Sequence, residues 1–426
     1  MVWSKFLLSV SMWAVVIISL FQSKKFSDTE KKPLHTWVLE YLQLWNWRWA
    51  TPQYNSIFGE VMPFFKQYCS NWWQNKAFFA ASVPFLLMLA GGFWTSDGGY
   101  LFHTLKMYLP FLILPMAFAN LPPLSKKQFL GVLYFYFLTM SIACFVVLLN
   151  YGLHFQAATK LLGEGQPMPL MREHVTFGCM TAFSVFIGLE LWSQKFVWQY
   201  NFERILIPAL TIFLFVALHV LSIRGGLFVM YICLIFKCLE FIFRKKKYIL
   251  GVASLSLLAI IPLLSYRFVP SFRNKMNYSI WDLGKFREGT GGSYSDSERI
   301  VSIQIGWNIF KKHGLTGVGS GDVWSEIQAV YAQSGQFETA KMPHNQFLII
   351  GIGTGIVGIL IFLAAFLTPL FYKRRYKNSL FAIFHVIVFA YFWFEMPFEA
   401  AFSVAFYTFG VSLFLNFSLT ENTEFR

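Results

Sequence analysis

Arg224, Arg299 and His344 are the side chains of this 426-residue chain whose types and settings best suit chemistry. Arg224 stands in "LSIRGGLF" at 221–228, between two apolar runs. An arginine in hydrocarbon costs about 2.5–3.5 kcal/mol on insertion scales, so it needs an ionic partner, an aqueous cavity or a reach to the interface. Gly225 and Gly226 beside it leave room for a ligand. Arg299 falls in the first turn of a helix expected from "SDSERIVSIQIGWNIFKKHG" at 295–314, where the helix dipole favours acids. The misfit suits an external anion, with a salt bridge to Asp296 or Glu298 as the plain alternative. His344 opens "HNQFLIIGIGTGIVG", the start of another apolar run. A histidine there can take a proton from a hydroxyl, or simply anchor the helix at an interface.

Further candidates surround these three. Arg172 and His174, in "MREHVTF", complete a basic site or cap a helix together with Glu173. Glu395 and Glu399, in "FEMPFEAAF", orient a base, bind an acceptor hydroxyl or sit in a wet turn. Asn345 is placed to orient the His344 ring or hold a sugar hydroxyl. The chain shows no metal-ligand spacing, no paired carboxylates of the kind that hold Mg²⁺ and no P-loop. Two or more arginines can neutralise a phosphate-type anion without metal, through bidentate contacts.

The elements that must position these residues are membrane helices. The chain is 56% hydrophobic and 13% charged, against about 25% charged in soluble domains. Apolar runs long enough to cross a bilayer fall at approximately 6–21, 77–94, 101–120, 128–150, 173–193, 204–222, 225–242, 249–266, 345–372, 380–396 and 398–417. The first resembles a signal peptide, but it lacks a small-residue cleavage site and is expected to be a retained helix. The aromatic stretch 36–67 is interfacial or a twelfth crossing. The expected fold is all-α: a polytopic bundle of 11–12 transmembrane helices. It divides into an N-terminal part (1–266), a partly helical loop or lid (267–343) and C-terminal helices with a short tail (344–426). Basic clusters at 125–127, 243–247 and 373–377 fall on one side if the helices alternate, which makes that side cytoplasmic. The net charge of +14 then reflects inside loops rather than nucleic-acid binding. The loop 267–343 falls on the opposite, outer face.

Local patterns refine this picture. Ser295 with Glu298 is a capping-box signature. Ile300, Ile303, Trp307 and Phe310 mark one face of the loop helix, and Gly314 stops it. Along the helix that follows His344, positions 344, 348, 351, 355 and 358 share a face. Its glycines predict close packing against a neighbouring backbone, a rigid post with a histidine at its top. Four of the five cysteines lie in apolar runs, and no disulfide framework appears.

"HNQFLIIGIGTGIVG" matches the H-[NSQ]-x9-G-x-x-G pattern of bacterial O-antigen ligases, with His344, Asn345, Gly355 and Gly358 in the fixed places. "LSIRGGLF" resembles the Ser-Arg-Gly segment of that superfamily, with Ile223 inserted before the arginine. "SERIVSIQIGWNIFKKHGLTGVGSG" at 297–321 resembles its loop helix and glycine-rich turn. The resemblance covers roughly 77–417, and its histidine motif separates ligases from polymerases less well than it marks the superfamily. It implies a GT-C-like membrane glycosyltransferase that is inverting, metal-independent and without cofactor. The implied partners are an undecaprenyl-diphosphate-linked glycan and lipid A–core acceptor, met at the periplasmic face of the inner membrane. His344, Arg224 and Arg299 would be catalytic, and Arg172, His174, Asn345 and Glu399 would bind substrate. The related alternatives are an O-antigen polymerase and a protein O-oligosaccharyltransferase. A transporter or flippase would show internal repeats and midplane polar sites. Here the polar residues gather at one face, and Lys106 is the only deep charge.

Overall fold

The computed structural model describes residues 66–166, 173–244, 246–290, 294–334 and 339–417. The apolar run 6–21, most of the stretch 36–67, and Arg172 lie outside them. Every described apolar run forms a helix. These are α1 (Lys76–Ala90), α2 (Gly98–Ala119), α3 (Lys126–Leu153), α5 (His174–Ser193), α6 (Glu203–Leu221), α7 (Arg224–Leu239), α8 (Tyr248–Phe268), α12 (Gln346–Phe371), α13 (Ser379–Phe394) and α14 (Ala401–Asn416). Seven of the described helices are long and apolar enough to cross a membrane, α1 doing so with the 3₁₀ turn after it and α12 with the turn 372–377. The protein is therefore an all-α polytopic membrane protein. Local chemistry starts several helices: Asn75, Asp97, Asn345 and Asn378 cap with their side-chain oxygens, and Ser125 with Gln128 makes a full capping box.

The helices alternate in direction, so Arg224, His344 and the 395–399 turn share one end of the bundle, and the three basic clusters share the other. At that other end Arg375 is not a free surface charge. Its guanidinium reaches the Leu415 carbonyl (2.8 Å) and the Phe417 carbonyl (3.1 Å), closing the C-terminal end of α14. Lys106 projects outward over the Phe102 ring at 4.1 Å, a cation–π contact.

The loop 267–343 is largely helical: α9 (Pro270–Arg287), α10 (Ser295–Lys312) and α11 (Val323–Ser334). The short α4 (Phe155–Gly163) lies beside α9. Ile309, Val323, Ile327 and Tyr331 of the loop form a small core with Ile352 of α12, separate from the main bundle core. The expected face of α10 is rotated. Trp307 is 49% exposed, while Ser297, Val301, Ser302, Gly306 and Ile309 are buried. Small residues win because α10 packs closely on the start of α12: a Cβ at Gly306 would lie 2.6 Å from Pro343. The expected capping box at Ser295 is absent too. The Asp282 carboxylate, from α9, accepts from the Asp296 (2.7 Å) and Ser297 (3.3 Å) amides instead.

The glycine post is not one continuous helix. At Gly355 the backbone of α12 breaks, with φ +68° and ψ −169°, a conformation essentially closed to other residues. Segment 314–320 fits against the break. Val318 and Gly319 donate to the carbonyls of Ile352 (2.8 Å) and Gly353 (3.0 Å), and Ile356 donates to Gly314 (2.8 Å). A Cβ at Gly355 would sit 2.1 Å from the Leu315 carbonyl oxygen. Gly355 thus admits the loop's own backbone rather than a neighbouring membrane helix, and the break's open carbonyls at Ile352 and Gly353 are satisfied.

Candidate functional site

Four helix N-termini meet at the loop end of the bundle: those of α5, α7, α10 and α12. Each presents the positive end of a helix dipole; at α10 and α12 the first amides are already capped, by Asp282 and Asn345. His174 is the first residue of α5 and Arg224 the first of α7; Arg299 lies in the second turn of α10, and His344 directly precedes the Asn345 cap of α12. Ser222, at φ +53°, ends α6 and turns the chain so that α7 begins at Arg224.

A cavity of about 90 Å³ lies among these ends, lined by His174, Ser222, Arg224, Gly225, Lys275, Ser295 and Arg299, among others. Asp296 links the arginines: its carboxylate accepts from Arg224 and stands 3.8 Å from Arg299. Arg224 also donates to the Ser279 hydroxyl, and to the Ser295 hydroxyl at 3.3 Å. Burial pushes the Asp296 carboxyl up, but its partners, Arg224 foremost, outweigh this and hold it below the ordinary value. Arg299 reaches on to Glu395 Oε1 at 2.7 Å, and Glu395 Oε2 lies 3.0 Å from His344 Nδ1. Burial alone would raise the Glu395 carboxyl; the His344 hydrogen bond and the Arg299 charge reverse this and keep it low. Glu395 is therefore a carboxylate at neutral pH and accepts a hydrogen bond from His344 Nδ1–H, which leaves Nε2 as the ring nitrogen that can face a substrate.

His344 does not line the cavity. It joins it through Glu395 and Arg299. Asn345 is fully engaged in the scaffold: its Oδ1 accepts from the Leu348 amide (3.0 Å) and its Nδ2 donates to the Trp393 carbonyl (3.2 Å). It sets the place of His344 rather than facing a ligand. Gly226 has a packing role as well, since a Cβ there would lie 2.6 Å from the Gly178 backbone. Glu399 is not brought to the arginines. It faces a smaller, mostly apolar cavity of about 30 Å³, lined also by Tyr100, Thr104, Tyr108 and Thr354. Burial there pushes its carboxyl up to about 7.

Sequence reasoning missed Lys275. Its ammonium donates to the carbonyls of Gly165 (2.7 Å) and Gln166 (3.3 Å), and burial, with Arg224 nearby, lowers its pKa to about 8. Its only local signal was one lysine four residues before Ser279 and seven before Asp282, all on one helical face of a polar segment.

No curated protein matches the chain. Residues 209–363, which run from α6 through the loop helices into α12 and hold Arg224, Lys275, Arg299 and His344, match the family model described as O-antigen ligase.

Proposed function

We propose that the protein transfers a glycan from undecaprenyl diphosphate to lipid A–core oligosaccharide at the periplasmic face of the bacterial inner membrane, inverting the sugar carbon and using no metal. The observation that carries this reading is the gathering of Arg224, Arg299 and Lys275 around one cavity, with the carboxylate-held His344 joined to it through Arg299 and Glu395. The helix N-termini add to the positive potential there.

In the resting site Asp296 and Glu395 balance much of the arginine charge. A donor diphosphate displaces part of that pairing and takes bidentate contacts from Arg224 and Arg299. His344 Nε2 removes the acceptor hydroxyl proton while that oxygen bonds to the anomeric carbon. The bond from this carbon to the diphosphate oxygen breaks, and its electron pair stays on the diphosphate, where the cations stabilise it. Glu395 is a positioning residue: it fixes the ring and stabilises the imidazolium.

Deleting the gene tests the reaction. Loss of all glycan chains on lipid A–core, with lipid-linked polymer accumulating, is the expected result. A core carrying a single repeat unit would instead mark a polymerase. Orientation has its own check: single cysteines at Glu288 and Lys377, in a background without native cysteines, are exposed to an impermeant thiol reagent with the outer membrane permeabilised. Labelling at 377 but not 288 would overturn the periplasmic placement.

A further inference from the structure

Helix α9 is amphipathic across its width. Lys275, Ser279 and Asp282 point inward to the site and the base of α10. Arg273, Met276, Ile280, Leu283 and Arg287 lie on a second, exposed face beside it. Ile280 is 64% exposed, and neither Arg273 nor Arg287 has an ion pair among the described residues. Lys285 is different, being paired with Glu288 at 2.8 Å.

The position of α9 relative to the bilayer follows from the helix before it. Membrane-length α8 ends at Phe268, and Val269 alone separates it from α9. The Tyr266 hydroxyl donates to Asn277 Oδ1 at 2.8 Å. Eleven residues of unbroken helix would separate those positions by roughly 16 Å along the axis. The chain therefore bends sharply, and α9 turns off the axis of α8 where α8 leaves the hydrocarbon. A helix lying across that boundary, apolar and cationic on its open face, has the character of an interfacial helix.

We infer that the outward face of α9 is a docking surface for anionic phospholipid headgroups of the adjoining leaflet, with Arg273 and Arg287 on lipid phosphates and Met276, Ile280 and Leu283 among the upper acyl carbons. The charge decides this occupant: an apolar face alone would sit equally well in zwitterionic lipid, whereas two unpaired arginines within it favour anionic phosphate. Because Lys275 and Asp282 stand on the inward face of the same helix, the lipid contact fixes the height of the cavity wall. This inference does not rest on the proposed reaction.

The test uses the full chain with a photoreactive benzophenone amino acid at position 280, placed in nanodiscs holding trace labelled phosphatidylglycerol, phosphatidylcholine or a lipid A-type glycolipid. The expected result is several-fold stronger cross-linking to phosphatidylglycerol, falling by roughly fivefold per arginine in Arg273→Gln and Arg287→Gln, with melting temperature unchanged. Equal labelling of both phospholipids overturns charge recognition. No labelling means that the face meets water. Labelling only by a lipid A-type glycolipid would give the surface to a different occupant. Each of these three results rejects the inference, and none of them bears on glycosyl transfer.

Discussion

Glu395 and Glu399 stand four residues apart in one short turn, yet they live in opposite chemical settings. Glu395 lies between a histidine and an arginine and is held ionised. Glu399 faces tyrosines and apolar side chains on the other side of the start of α12, where burial lifts its carboxyl to about 7. The difference teaches that identical groups on one turn take their roles from the helices behind them. The N-termini of α5, α7, α10 and α12 gather cations on one side, and α1 and α2 supply a largely uncharged wall on the other.

The strongest way to break this contrast is at the base. His344→Ala is expected to cut turnover by roughly 10²–10⁴-fold, the usual worth of a positioned acid or base, with donor affinity kept because the arginines remain. Measuring donor affinity and single-turnover rate separately decides this. Lost affinity with normal turnover at saturation would make His344 a binding residue.

Glu395→Gln is expected to lower turnover by about 10–100-fold, the range seen when a carboxylate that orients a metal-bound histidine is lost, and to alter the pH–rate profile. Glu399→Gln should leave both nearly unchanged. Equal effects of the two substitutions would erase the distinction between the two sides of the turn. Lys at Arg224 or Arg299 should weaken donor binding by roughly tenfold, as loss of a bidentate fork costs about 1–2 kcal/mol. An unaltered donor affinity in both variants would remove the diphosphate role.

The smallest expected effect concerns pH. The Lys275 ammonium titrates near 8, so its positive charge is lost as pH rises through that value and donor affinity should fall a few-fold on the alkaline side. Lys275→Met should start with weaker binding and show a flatter alkaline limb. A limb of the same shape in both proteins would assign it elsewhere.

One backbone prediction sharpens the structural half of the comparison. Gly355→Ala should destabilise the purified protein by about 1–3 kcal/mol or more, since φ +68° is strained for alanine and its Cβ would meet the Leu315 carbonyl. Gly284→Ala, where nothing lies within 4 Å of a Cβ, should be neutral or slightly stabilising in thermal melts.

What the sequence determined by itself is set by one-dimensional chemistry. Continuous apolar runs dictated ten of the described helices almost to their ends, seven of them long and apolar enough to cross a membrane, because backbone groups in hydrocarbon must be satisfied within a helix. Arginine and histidine at the ends of such runs pointed to one end of the bundle, since charge there must be paired or wet. Only the tertiary structure decided which residues meet. Arg224, Lys275, Arg299 and Glu395 come from four different elements, and no spacing along the chain encodes their convergence. The α12 glycines read as a helix seam because periodicity assumes an unbroken helix, whereas the actual break at Gly355 is stabilised by hydrogen bonds from residues some forty positions earlier. Trp307 was placed inward by its apolarity, but close backbone approach favoured Ser302 and Gly306 at that surface. Lys275 was invisible for the same reason: burial gives a lysine its role here, and burial is a property of the packed molecule.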